Sequence, residues 1–313
     1  MLDNLLFSLK IVAPIFLYLA IGMLFKKLKL LPEGFIKIAN KFVFNVLFPC
    51  KIFYNIYMTD IIDMDLSYVL AGVIAVNVLF ILLMIIVPKV VKQQNQKGVI
   101  IQAINRGNFN AFCIPLAESI YGTVGGAYAA ILGGVAIPFQ NIHGVIALAP
   151  FSSEKKVTTK EVIIKIITNA QVIACIIGII VSLTKLNLPT IVIEPIRRVQ
   201  NITTPFSIFV IGAAIDINKL KFDVKKVAIV SLIRLVVVPL ITVPVFVLLG
   251  FRDGALVALS MMFSVPVAAS SVANAYMFNG DSDLANEIVL FTSLICVVTI
   301  AILLFILKSF MLL

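Results

Sequence analysis

The sequence predicts an all-α polytopic membrane protein: ten transmembrane helices in two inverted five-helix repeats, with helices 4 and 9 broken and crossing. Three observations carry that expectation. Hydrophobic residues make up 61% of the 313 and charged residues 13%, against roughly 45–50% and about 25% in soluble domains. Uncharged runs such as 235–251 and 288–307 recur, and a membrane-spanning helix needs about 20 mostly apolar residues. Prolines recur in matching pairs: Pro32 and Pro49 are 17 apart and Pro189 and Pro205 are 16 apart, while Pro88–Pro115 and Pro239–Pro266 are each 27 apart. An odd number of spans per half turns the second half upside down, a recurring plan of secondary transporters.

The spans fall, in order, near 5–25, 36–58, 66–87, 99–121, 125–150, 162–184, 195–216, 227–250, 255–278 and 286–307. The first is read as a true span and not a secretory leader, because Asp3 and Asn4 stand where a basic region would be and no small-residue cleavage site follows. Lysines mark alternate loops: Lys26, Lys27 and Lys29 after span one, Lys89, Lys92 and Lys97 after span three, Lys155, Lys156 and Lys160 after span five, and Lys219, Lys221, Lys225 and Lys226 after span seven. The loop after span two holds Asp60, Asp63 and Asp65 and no base. Positive loops face the cytoplasm, so both termini are expected outside a cell membrane. Arg197 and Arg198 on the outer side, and Asp281 and Asp283 on the inner side, run against the pattern.

The net charge of +10 is thereby explained as topology signal and not as a nucleic-acid surface. The cysteines (Cys50, Cys113, Cys175, Cys296) lie in apolar segments without CxxC spacing, and there is one histidine. No metal site, cofactor or catalytic residue is read from these types.

Two spans carry polar residues where a membrane helix should be smooth. Span four contains "NRGNFNAFCIP", with Asn105, Arg106, Asn108 and Asn110 before Pro115; span nine contains Ser264, Pro266, Ser270, Ser271 and Asn274. Proline removes a backbone donor, and freed backbone groups in lipid need partners in protein or water. These prolines are expected to interrupt both helices near the midplane, where half-helix N-termini favour an anion. Spacing on a continuous helix puts Asn105, Asn108 and Phe112 on one face, ending at a break before Pro115. The asparagines are candidates to supply neutral donors and acceptors to a substrate or to freed backbone groups, with Arg106 as a source of positive field. Span five adds Gln140, Asn141 and His143; the histidine is the candidate proton carrier, against the plainer role of a hydrogen-bonded core residue. Lys51, Glu118 and Arg234 also lie within spans, and their types alone assign them no role.

At these motifs the chain resembles the auxin efflux carrier family, and within it the bacterial malate-permease-like members. "NRGNFNAFCIPLAESIYG" resembles the family's fourth span, "NKFVFNVLFPCKIF" the second, "RLVVVPLI" the eighth, and "PVAASSVANAYMFNGDSDLANEIVLFTSL" the ninth and tenth. The resemblance covers essentially the whole chain. It implies a fold similar to bile-acid symporters, with repeats at 1–151 and 162–313. A scaffold would comprise 1–61 with 162–218, and a mobile transport domain 66–151 with 225–311. It further implies a homodimer, small organic anions such as malate as substrates, and Asn108 as the crossover asparagine that contacts them. The ninth span lacks the Glu and Gln that bile-acid symporters use for sodium, which speaks against sodium coupling. A cation/proton antiporter would need a carboxylate at the crossover, and spans four, five and nine supply none centrally. An intramembrane enzyme would need a nucleophile with its base or a metal. A membrane sensor that binds without transporting remains the other alternative.

Overall fold

The computed structural model describes residues 2–62, 64–151, 164, 167–214 and 224–313. Asp63, Lys155, Lys156, Lys160, Lys219 and Lys221, which enter the orientation reading, lie outside the described residues.

The described chain is helical. Its elements are α1 (Leu2–Lys27), α2 (Glu33–Phe42), α3 (Phe48–Tyr57), α4 (Ser67–Val90), α5 (Gln94–Asn105), α6 (Ile114–Leu148), α7 (Ala170–Leu183), α8 (Thr190–Ala214), α9 (Val224–Leu232), α10 (Val238–Leu248), α11 (Asp253–Ser264), α12 (Ser270–Met277) and α13 (Ser282–Ser309). Among the described residues, five helical stretches are long and apolar enough to cross a membrane: 3–27, 67–90, 109–151, 224–248 and 282–309. The stretch 109–151 bends at Tyr121 and Gly122, where the backbone leaves helical values (Gly122 φ 61°). That bend lies at the boundary expected between spans four and five.

Three single π-turns, Val43–Leu47, Phe109–Cys113 and Ile233–Val237, share one cause. Each ends two residues before a proline: Pro49, Pro115 or Pro239. A proline cannot donate to the carbonyl four residues back. The preceding turn widens instead, so Phe48, Ile114 and Val238 donate five residues back to Val43, Phe109 and Ile233. Such π-bulges let a helix continue past the obstacle. The paired prolines therefore do not share one geometry: Pro205 lies in uninterrupted helix, and Pro88 near the end of α4.

The helices gather in two groups. α1, α2, α3, α7 and α8 pack on one another, as do α4, α5, α6 and α9–α13, and the two sets also touch broadly, α1 against α13 and α3 against α6. α1 and α8 approach closely because each offers a glycine to the other's backbone. A Cβ on Gly22 would stand 2.0 Å from the Phe209 carbonyl oxygen, and one on Gly212 would stand 2.1 Å from that of Leu19. Small residues at such crossings are the usual means of bringing membrane helices together.

Both charge anomalies of the sequence have local reasons. Arg197 and Arg198 grip Glu194 on one exposed helix face, and Arg197's hydrogen bonds hold that carboxyl down at about 2. Asp281 caps α13 by accepting from the Leu284 N–H at 2.9 Å and ties it to α5 through Gln96 Nε2 at 2.8 Å. Its acidity thus serves a helix N-terminus.

Candidate functional site

Spans four and nine are both interrupted, and the gaps meet. α5 stops at Asn105 and α11 at Ser264. The extended residues beyond them pair as a short antiparallel bridge, Gly107 against Val267. The Asn108 N–H donates to the Pro266 carbonyl at 2.6 Å, and the Ala268 N–H to the Arg106 carbonyl at 3.2 Å. Thr292 of α13 accepts from the Val267 N–H at 3.2 Å. The freed backbone groups thus find partners inside the protein, as a low-dielectric surrounding requires.

The sequence expectation needs correcting at span four. Its break lies at Arg106–Asn108 and not at Pro115, whose missing donor is absorbed by the π-turn. Asn105, Asn108 and Phe112 consequently share no helix face. Asn105 ends α5, with its Nδ2 3.0 Å from His143 Nδ1. Asn108 stands across the break, lining a cavity of about 250 Å³.

That cavity lies between the two helix groups. From one side it is lined by Arg106, Gly107, Asn108 and Asn110 around the first break, Gln140 and Asn141 of α6, and Ala268, Ala269 and Ser270 at the second break. From the other come Phe44 and Asn45 in the π-turn ahead of α3, and Thr168–Gln171 at the start of α7. Gln171, Asn169 and Asn45 were not singled out from the sequence. The only available signal was "TNAQ", a polar run opening an apolar helix, which reads equally well as a cap. Asn169 is indeed one, accepting from the N–H groups of Gln171 and Val172. Its neighbour Gln171 bridges the groups, accepting from Asn110 Nδ2 at 2.6 Å and donating to the Phe44 carbonyl at 3.2 Å.

Arg106 sets the cavity's electrostatics. Its Nη2 donates to Asn141 Oδ1 at 2.7 Å, a neutral partner, and among the described residues no acidic side chain lines the cavity. The Asn108 amide has no hydrogen-bonding partner among the described residues. The chain enters two helical segments at this wall, at Phe109 and at Ser270, and helix starts carry partial positive charge. Gly144 has no side chain where the ends of Gln102, Asn274 and Arg106 converge: a Cβ there would lie 2.6, 3.1 and 3.6 Å from them.

Of the remaining candidates only Gln140 lines the cavity. His143 is stacked on Phe80 (centroids 4.0 Å apart, 3° between planes), with Nε2 3.1 Å from Asn77 Oδ1. Gln140, itself on the wall, donates from Nε2 to the Asn105 carbonyl at 3.4 Å. Ser264 Oγ donates to the Ser260 carbonyl at 2.7 Å. Ser271 is buried in α12, Pro115 is buried in α6, and Pro266 contributes its carbonyl to the bridge.

Two cations that are fully buried, unlike Arg106, are spoken for. Lys51 of α3 pairs with Glu118 of α6 and donates to Thr204 Oγ1 of α8 at 2.9 Å. Arg234 is satisfied by backbone carbonyls. No group of His, Cys, Asp or Glu suited to a metal ion occurs among the described residues. A family model described as "Membrane transport protein" matches residues 7–304. No curated protein matches the chain.

Proposed function

Because the chain belongs to this membrane transport family, that of the auxin efflux carriers, we propose that it is a secondary carrier for small organic anions such as malate or other carboxylates. The observation that carries the reading is Arg106: a half-buried guanidinium held by one neutral amide, facing a cavity with no carboxylate among its described lining residues, beside two helix starts. A carboxylate entering there meets the guanidinium, the unengaged Asn108 amide and Ser270. A cation finds no carboxylate among the described lining residues, which disfavours the antiporter alternative.

The ten-span inverted repeat supplies the mechanism in this reading. The group of α1, α2, α3, α7 and α8 is the scaffold, and the group carrying both breaks is the mobile transport domain. The cavity is walled by both, as an elevator step between them needs. With the lysine-rich loops inside, the cavity lies toward the inner surface through Thr168 and Asn169, and Lys51–Glu118–Thr204 closes the outer side. The same orientation places the termini outside, so a cysteine at exposed Asp60 should react with an impermeant thiol reagent on intact cells. Labelling only after lysis overturns the orientation.

Uptake of radiolabelled malate and other carboxylates into proteoliposomes, with and without a proton gradient, tests the function. Saturable uptake above empty liposomes is expected; its absence across mono- and dicarboxylates refutes the carrier. An anion that protects the protein from thermal unfolding without crossing the bilayer would mark a sensor.

A further inference from the structure

Arg234 is fully buried (0% exposed). All three donor nitrogens of its guanidinium are used, and every acceptor is a backbone carbonyl. Nε donates to Val265 at 3.2 Å, Nη1 to Ile104 at 3.0 Å and Nη2 to Met262 at 3.0 Å. Ile104 lies in the last turn of α5; Met262 lies in the last turn of α11, and Val265 just beyond it. The cation therefore sits where the C-terminal ends of both interrupted helices converge.

Such a place demands positive charge. The last carbonyls of a helix have no intrahelical partner and carry the negative end of its dipole. Away from water they must still be satisfied, and two such ends brought together repel. Broken membrane helices can meet this demand with a bound inorganic cation, coordinated by their carbonyls. Here the chain has placed its own cation there. The π-turn forced by Pro239 contains Arg234 and aims it inward, and Gly107 leaves it room: a Cβ on Gly107 would stand 2.2 Å from Nη2. Because Gly107 also lines the cavity, the guanidinium lies one residue layer behind the proposed anion site.

We propose that Arg234 is the resident cation of the crossover: a positioning residue that holds the two helix ends together, so that Arg106–Asn108 and Ala268–Ser270 are set around the anion without an alkali cation from solution. The second clause rests on the carrier reading; the first does not. A guanidinium suits the task better than an ammonium, since its charge is permanent and its donors lie in a fixed plane matching several acceptors at once.

The test compares Arg234→Ala, Arg234→Lys and Arg234→Met. Purified R234A should unfold at a lower temperature than the wild type. Millimolar guanidinium chloride should restore part of the loss, while N-methylglucamine chloride should not, and neither should move the wild type. Should R234A fail to fold, Lys against Met decides, because the two are similarly long and differ in charge. R234K should exceed R234M in malate uptake by about tenfold or more, the scale of hydrogen bonds to a charged group. Equal behaviour of R234K and R234M, or no difference between guanidinium and N-methylglucamine on R234A, overturns the proposal by reducing Arg234 to a space-filler. Wild-type malate uptake should proceed equally in sodium and in N-methylglucamine media, and a sodium requirement overturns the second clause. Wild type that takes up no carboxylate in either medium counts against the carrier reading alone, and the thermal comparison then decides the first clause.

Discussion

Arg106 and Arg234 lie on either side of Gly107 in one crossover, and they are employed in opposite ways. Arg234 spends every donor nitrogen on a carbonyl and meets no solvent. Arg106 ends on a single neutral amide at a cavity wall. A cation within a membrane protein is costly in either place, more so at fully buried Arg234 than at half-buried Arg106. At Arg234 the cost is offset by helix ends that need a cation. At Arg106 no comparable set of acceptors exists, so the guanidinium keeps unspent donors for something that enters. Lys51, the third cation, sharpens the contrast, since it has a carboxylate of its own in Glu118. In the proposed carrier, the number of donors left over, and not depth in the membrane, is what separates the ligand site from a structural one.

The most damaging test of the contrast is Gly107→Ala, because it strikes both arginines. The added Cβ would stand 2.2 Å from Arg234 Nη2, 2.7 Å from Val265 Cγ2 and 3.2 Å from the Met262 carbonyl oxygen. Nothing can yield without disturbing the bridge. Overpacking typically costs about 1–3 kcal/mol. The variant should melt at a lower temperature in detergent and lose anion uptake as well. Retention of both would mean that the crossover is not the rigid unit described here.

Replacing Arg106 should separate what Gly107→Ala joins. Arg106→Gln gives up one hydrogen bond to a neutral partner, so thermal stability should stay near that of the wild type. Affinity for a carboxylate should fall by about 1.5–3 kcal/mol, the range for a hydrogen bond to a charged group, or roughly 12- to 150-fold. Arg106→Lys should recover part of that loss, since charge returns without the planar fork. Asn108→Ala removes a neutral donor and should weaken binding less, by about 1–2 kcal/mol or roughly five- to 30-fold. Tryptophan-free as the chain is, binding is best followed by labelled malate or by ligand-induced shifts in unfolding temperature. A folded Asn108→Ala protein with unchanged affinity removes Asn108 from the site.

Much of this arrangement was legible in the sequence because composition and periodicity report what lipid demands. The helical class, the presence of membrane-spanning helices and the unusual character of the stretches around 105–115 and 264–274 all follow from where apolar runs stop being smooth. The position of the first break was not legible. Pro115 is the loudest signal in "NRGNFNAFCIP", yet a π-turn accommodates it, and the chain opens at Arg106–Asn108, where the bridge to Val267 replaces helical bonds. Gln171 and Asn169 were hidden for another reason: they reach the cavity from a helix more than 60 positions further along the sequence, and nothing in their spacing points there. Arg234 was visible as a buried charge, but its partners are carbonyls, which every residue carries and no residue type announces.

The smallest effect is expected at His143, for which the sequence left a proton carrier standing against a hydrogen-bonded core histidine. Asn77 Nδ2 donates to the Val73 carbonyl at 2.7 Å, which turns its Oδ1 toward the imidazole. The Nε2 side of the ring therefore carries the hydrogen, and Nδ1 accepts from Asn105 Nδ2. Both ring nitrogens are engaged by neutral amides, the ring lies flat on Phe80, and the side chain stays off the cavity wall. A proton arriving at Nδ1 would face the Asn105 amide hydrogens and would require that amide to turn over. These contacts favour a histidine that fixes Asn105, and through it the end of α5, over one that shuttles protons. Glutamine can replace one of the two hydrogen bonds, so His143→Gln should lower uptake by roughly the worth of one neutral bond, about 0.5–1.5 kcal/mol. The shape of the pH profile between about pH 5 and 8, where an ordinary histidine changes charge, should be unaltered. If the variant instead flattens that profile while remaining folded, His143 titrates during transport, and the amide at Asn105 must turn with it.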